Sequence, residues 1–338
     1  MSGGESKQNG QAASAGGRWV GFRPEVKVLD CTVRDGGLMN AHGFDDQVVK
    51  AVYHACVEAG VDYMEIGYKC SKRIFAPDRF GAWKFSDETD IRRIVGDNET
   101  PLKISVMADA ERTDYHVDIL PREQSVIDMI RVATYIHQIP TAIDMVKDAR
   151  DKGYEVCVNL MAISTVSEWE LDQALAALTQ SKANGIYLVD SFGALYSEQV
   201  QYLTQKYLNF ARPAKMDVGI HTHNNQQLAY ANTIEAIIVG ATMLDASMSG
   251  LGRGAGNCPM ELLLGFLHNP KFRIRPLLEA IRDHIQPLQE KLRWGYDIPY
   301  MITGQMNRHP RAAIEFNEKT SPGERDVVGF YDLMIEEE

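Results

Sequence analysis

Short β-branched runs alternate with amphipathic helical stretches from Pro24 onward, and this rhythm repeats eight times along the 338-residue chain. The runs are Val26–Leu29, Tyr63–Gly67, Lys103–Met107, Ile127–Val132, Glu155–Leu160, Gly185–Val189, Asp217–His221 and Thr242–Ala246. Their starts lie roughly 23 to 40 residues apart, the spacing of strand-helix units in a parallel sheet. Eight such units close naturally into a (β/α)8 barrel, so the expected fold is α/β with a TIM barrel over residues 24–269. In that architecture functional side chains gather at the C-terminal ends of the strands.

The intervening segments support the reading. Asp45 to Ala59 carries Val48, Val49, Val52, Ala55 and Cys56 at the spacing of one buried helix face, and Gly60 is a natural stop. Ser167 and Ser197 are expected N-caps for helices running to Leu178 and Leu208. The rhythm breaks after about Pro270. There Arg275 to Leu292 reads as a helix, and residues 270–338 are expected to form a helical extension on the barrel. Residues 1–23 begin with a run rich in Gly, Ser, Ala and Gln, without an apolar core or period, and read as a flexible tail.

Composition narrows the function. A net charge of -11 argues against nucleic acid or an anionic membrane as partner, because both demand a basic face. No apolar stretch reaches the roughly 18 residues of a membrane span. Five cysteines, Cys31, Cys56, Cys70, Cys157 and Cys258, stand singly, the usage of a reduced, cytoplasmic protein. Cys258 reads as a small apolar residue more than a nucleophile.

Three residues combine into a site. Asp35 follows the first strand, His221 ends the seventh, and His223 lies two residues on, so a carboxylate and two imidazoles converge at one mouth of a closed barrel. A two-histidine, one-carboxylate set binds Mn²⁺, Mg²⁺, Fe²⁺ or Zn²⁺ and leaves positions open for substrate, with zinc disfavoured by the missing thiolate. Arg34 adds a permanent cation suited to a developing oxyanion. Asn257, in the glycine-rich Ser249-Gly-Leu-Gly-Arg-Gly-Ala-Gly-Asn257, is either a fourth ligand or the cap of a helix beginning near Pro259. The glycines imply close backbone approach. Glu65, Asn159 and Asp190 end strands two, five and six, where they contact substrate or orient other groups. Lys69, Lys72 and Arg73 form a basic cluster after strand two that suits an anionic substrate.

Three segments together resemble the DRE-TIM metallolyases, also called the HMGL-like or pyruvate carboxyltransferase-like superfamily. They are Leu29-Asp-Cys-Thr-Val-Arg-Asp-Gly-Gly37, Gly219-Ile-His-Thr-His-Asn-Asn225 and Gly250-Leu-Gly-Arg-Gly-Ala-Gly-Asn-Cys-Pro259. The last looks most like the 4-hydroxy-2-oxovalerate aldolases of that superfamily. The resemblance implies Mn²⁺ or Mg²⁺ held by Asp35, His221 and His223, with Asn257 at a position that serves as a ligand in some members. It further implies a carbon-carbon lyase that cleaves or forms a 4-hydroxy-2-oxo acid, with Arg34 stabilising a pyruvate-type enolate. A Claisen-type synthase using acyl-CoA, or a metal-binding relative without turnover, is the alternative.

Two departures stand out. The aldolases place a histidine three residues after the signature aspartate as base for the substrate hydroxyl, and here that position is Leu38. His42, Tyr296, Tyr300 and His309 are the residues expected to replace it. The loop after strand two, with Lys69, Arg73 and the stretch Arg79 to Phe85, differs as well and implies a more acidic or phosphorylated substrate. The expected partner is a small 2-oxo acid and the expected assembly a homo-oligomer. The C-terminal segment is read as shorter than the part with which the aldolases contact an acylating aldehyde dehydrogenase, which argues against such a partner.

Overall fold

A computed structural model describes residues 22–336, so most of the tail expected at 1–23 lies outside the described residues. Eight parallel strands close into a barrel in sequence order. They are β1 Lys27–Asp30, β2 Tyr63–Tyr68, β3 Lys103–Asp109, β4 Met129–Thr134, β5 Glu155–Leu160, β6 Gly185–Asp190, β7 Asp217–Thr222 and β8 Met243–Ala246. Every residue of β2, β4 and β6 is buried, as strands covered on both faces must be. β3 runs two residues past its expected end at Met107, and β4 is shifted by two at both ends. Val126 and Ile127 are buried within the loop that enters the strand, so the apolar run starts before the ladder does. A shift of two leaves the same residues facing the barrel axis.

The helix Asp46–Ala59 buries Val49, Val52, Tyr53, Ala55, Cys56 and Ala59 against the strands. Gly60 ends it at φ 74°, and a Cβ there would lie 2.3 Å from the carbonyl oxygen of Lys271. That position therefore requires glycine twice over, for its backbone and for its neighbour. Ser167 caps the helix Glu168–Leu178 in a reciprocal box with Glu170. Ser197 does not cap the next helix. Tyr196 occupies that place, its N–H donating to Gln199 Oε1 at 2.9 Å, while the Ser197 hydroxyl turns to Asn232.

Beyond β8 the helical run Ile274–Leu292 packs on the helix Asp46–Ala59, and its middle, Ile281–Ile285, widens into a π-helical turn. Pro287 explains the widening. Its ring would collide with the carbonyl of Asp283 in a regular α-helix, and it has no N–H to donate. The rest of the extension, including Ile298–Gln305, Arg311–Lys319 and Val327–Glu336, forms a small core of its own from Tyr300, Ile302, Ala313, Phe330 and Met334. Ala255 of the glycine-rich loop joins that core, which seats the extension over the mouth of the barrel.

Candidate active site

The barrel interior is layered. At the bottom Leu29, Tyr63, Met129, Cys157, Tyr187 and Met243 form an apolar plug. Above it lies a ring of charge. Arg34 Nη1 donates to Asp35 Oδ1 and its Nε to Glu65 Oε2, both at 2.7 Å. Arg131 of β4 donates to the same Glu65 oxygen at 3.0 Å and to Asp245 Oδ2 of β8 at 2.6 Å. The ring closes through His221, whose Nδ1 donates to Asp245 Oδ2 at 2.9 Å and whose Nε2 lies 3.9 Å from Asp35 Oδ2.

All of these side chains are buried. Charges this deep persist only when paired, and here two guanidiniums face three carboxylates. The deficit of positive charge lies at the top, beside Asp35. Asp35, His221 and His223 offer ligand atoms that all lie within 4.8 Å of one another. Burial opposes ionisation of Asp35, but Arg34 and then the two imidazoles override it and hold the carboxyl below its usual range. Burial, with help from Arg253, His221 and Arg34 and against the pull of Asp35, keeps His223 neutral by pushing its pKa well down.

This donor set fits a divalent cation. The bond from His221 Nδ1 to Asp245 fixes the tautomer that leaves Nε2 as a lone-pair donor towards Asp35. His223 Nδ1 and Asn257 Oδ1 are buried without a partner, two acceptors that a cation would satisfy. Asn257 reaches the site through a β-bridge to His223, and its Nδ2 donates to Asp35 Oδ2. The helix Met260–Leu267 is preceded by Pro259, so Asn257 is not its cap. Gly252 passes directly above, where a Cβ would lie 2.9 Å from Asp35 Oδ2. Close backbone approach is thus what this glycine provides.

A cavity of about 90 Å³ opens over these ligands. Arg34, Tyr68, Asn159, Arg253 and His309 line it together with Leu38. Asn159 stands where its place on β5 suggests, with Oδ1 buried and unpartnered. Other expected contacts are elsewhere. Asp190 turns away and accepts the N–H groups of Ala194 and Leu195, and burial raises its pKa to about 7. Lys69 is buried outside the mouth with its ammonium on the Ser86 carbonyl at 2.7 Å, and burial lowers its pKa. Arg73 lies in solvent, paired with Asp114 at 3.1 Å. Lys69, Lys72 and Arg73 thus each have a partner away from the mouth.

The replacements for the missing histidine also separate. His42 packs edge-on against Tyr68 beneath the loop after β1, and burial, Lys84 and Arg34 push its pKa down to about 3. Tyr296 and Tyr300 face a second cavity of about 600 Å³ beneath the extension. Only His309 among these four lines the small one. Its Nε2 lies 3.1 Å from Arg253 Nη1 and its Nδ1 3.1 Å from the N–H of Arg311. A neutral imidazole has one lone pair and accepts from only one of these donors at a time, and burial first, then Arg253 and Arg311, lowers the pKa of His309 to about 4.

Three residues were not singled out in the sequence. Arg131 and Asp245 complete the charged ring, and the inward parity of their strands was the available signal. Arg253 sits in a glycine-rich segment that drew notice only for its backbone.

Residues 25–284 match the family described as HMGL-like. The chain belongs to this family. It is 32% identical over 251 residues to an oxaloacetate decarboxylase of Mycobacterium tuberculosis, covering 72% of this chain and 70% of that one. It is 27% identical to a 4-hydroxy-2-oxovalerate aldolase of Bacillus thuringiensis, over 92% of this chain and 94% of the relative. Among solved structures, the N-terminal domain of a candidate aldolase from Bacteroides vulgatus superposes with a TM-score of 0.76 at 31% identity, over 87% of this chain and 97% of that one. These relatives place the chain among carbon-carbon lyases. Among the described residues no helix is long and apolar enough to cross a membrane.

Proposed function

We propose that the protein is a lyase dependent on Mn²⁺ or Mg²⁺ that cleaves or forms the C3–C4 bond of a 4-hydroxy-2-oxo acid and so releases or adds pyruvate. The convergence of Asp35, His221 and His223 beside Arg34, under a cavity sized for a small acid, carries this reading. When bound, the ion supplies Lewis acidity at the substrate's 2-keto oxygen. Arg34 places its guanidinium next to the same spot and stabilises the negative charge that C–C cleavage leaves behind. Its own bonds to Asp35 and Glu65 hold it still, so no reorganisation is needed as that charge develops.

His309 is the proposed acceptor of the C4 hydroxyl proton. As that proton leaves, the C3–C4 bond breaks, its electron pair stays on the pyruvate fragment, C4 departs as an aldehyde, and the proton held by His309 is delivered to C3 to give pyruvate. Neutral His309 at the wall of the cavity supports the role, whereas Leu38 offers no basic atom. The test couples pyruvate release to a reporter enzyme. Metal-loaded protein is expected to lose activity on chelation and regain it with Mn²⁺, and Asp35→Asn should lose at least ~10²-fold in kcat/KM. Undiminished activity after chelation would sink the reading.

Leu38 also favours a second reading, removal of a 4-carboxylate from a 2-oxo acid. Decarboxylation passes through the same enolate but requires no hydroxyl base. His309→Gln separates the two, because it should depress aldol cleavage and spare decarboxylation of oxaloacetate.

A further inference from the structure

The small cavity has one large neighbour. The cavity of about 600 Å³ beneath the C-terminal extension shares Leu38 and Arg253 with it, so these two side chains form a neck between them. A substrate chain that continues beyond C4 can follow this neck, away from the side of the small cavity filled by Asp35, His221 and His223. At roughly 30 Å³ for each water in the liquid, the two spaces correspond to roughly three and twenty waters. The first accommodates a pyruvate unit, and the second far exceeds what a two-carbon aldehyde would fill.

The walls of the large cavity indicate what it takes. Trp294, Tyr296 and Tyr300 line it, Tyr296 being the exposed one of the three, and Gly254 at φ 65° lies against the Tyr300 ring. Planar polar groups alternate with them. Asn317 Nδ2 and Arg325 Nη1 both donate to Asp297 Oδ2, at 3.1 and 2.5 Å, so the Arg325 charge is already spent on a carboxylate. Asn317 Oδ1 and Arg325 Nε are left buried without partners. Lys291 and Arg293 are offset by Glu290 and Glu318 on the same walls. Setting aside Arg253 at the neck, which turns to His309 and the Ser191 carbonyl, three cations face three carboxylates here, and that balance does not favour a phosphate or a second carboxylate. It favours a neutral ligand with many hydroxyls, whose C–H faces stack on the rings while its O–H groups bond to the planar side chains.

We infer that the large cavity binds the chain of a polyhydroxylated aldehyde of aldose size, which makes the enzyme a lyase of sugar-like 4-hydroxy-2-oxo acids. The inference rests on the pyruvate-lyase reading above and names its second substrate. In the condensing direction neutral His309 takes a C3 proton from pyruvate and C3 bonds to the aldehyde carbon. The aldehyde oxygen then becomes the C4 hydroxyl by taking a proton from the acid-base residue. Atoms balance without a further reactant.

The experiment presents the Mn²⁺-loaded full chain with pyruvate and, in turn, acetaldehyde, propanal, glyceraldehyde, erythrose, arabinose and mannose. Condensation with a polyhydroxylated aldehyde is expected to exceed that with acetaldehyde by at least ~10-fold in kcat/KM. Tyr296→Ala should shrink that ratio, and Tyr296 is exposed enough to be replaced without unfolding the protein. Glu318→Ala provides a second exposed position should the first prove uninformative about hydroxyl recognition. Equal or better use of acetaldehyde or propanal, or a ratio that neither variant moves, would overturn the inference. Exchange of the pyruvate methyl protons in deuterium oxide is followed alongside. Exchange without polyol preference defeats the cavity assignment alone, while loss of both exchange and condensation defeats the lyase reading and this inference with it.

Discussion

Two groups of basic side chains lie near the mouth of the barrel, and they behave in opposite ways. Arg34 and Arg131 are buried and locked into a ring with Asp35, Glu65 and Asp245. Lys72 and Arg73, on the loop after β2, pair with Asp87 and Asp114 in solvent. Both groups consist of cations paired with carboxylates. Water is the difference, because it screens the outer pairs to little net effect and leaves the inner ones at full strength with no other way to be solvated. Basic residues near a mouth therefore indicate a site only where the fold removes their solvent.

Replacement of a buried cation tests this contrast most severely. Arg131→Leu strands Glu65 and Asp245 in the barrel and should cost about 3–5 kcal/mol of stability, measured by denaturant unfolding. Asp245→Asn removes the acceptor that sets the His221 tautomer. A roughly 10- to 100-fold loss of Mn²⁺ affinity by calorimetry is expected, with the fold retained. Unchanged affinity would show that the ring is structural only.

His42 supplies a test by pH. Its pKa is depressed to about 3 by burial first and then by Lys84 and Arg34, so the unfolded chain takes up a proton below about 6.5 that the folded protein refuses. Stability from this residue is complete above that range and falls as the pH drops towards 3, by up to about 1.4 kcal/mol per pH unit. His42→Asn, which tolerates the left-handed backbone at φ 62°, should flatten the difference in unfolding free energy between pH 7.5 and 5. The smallest effect belongs to the outer group. Arg73→Ala should change stability by no more than about 0.5 kcal/mol and kcat/KM by less than about twofold, and a larger loss of activity would return the loop to the site.

Much of the barrel was legible in the chain because its strands are buried on both faces and its helices on one, which imprints a period on the apolar residues. Ser197 shows the limit of local signals. It has the chemistry of a cap, yet Gln199 satisfies the preceding N–H and the helix starts one residue earlier than a cap at Ser197 allows. In the site, the convergence of Asp35, His221 and His223 was readable because the strand order makes their ends neighbours. Lys69 and Asp190 were not, because their partners, Ser86 and the Ala194 and Leu195 amides, lie in loops with no period to betray them.

The order of strands and helices, the residue types of the candidate ligand set and the apolar side chain at Leu38 were determined by the sequence alone, through patterning and side-chain chemistry. Tertiary structure decided the rest. It placed Arg131 and Asp245 in one ring with Arg34, carried His309 more than eighty residues past His221 back to the same cavity, and opened a second space under the extension. Those relations depend on distances between segments far apart in the chain, and such distances are set by packing in three dimensions, which no local pattern of residues records.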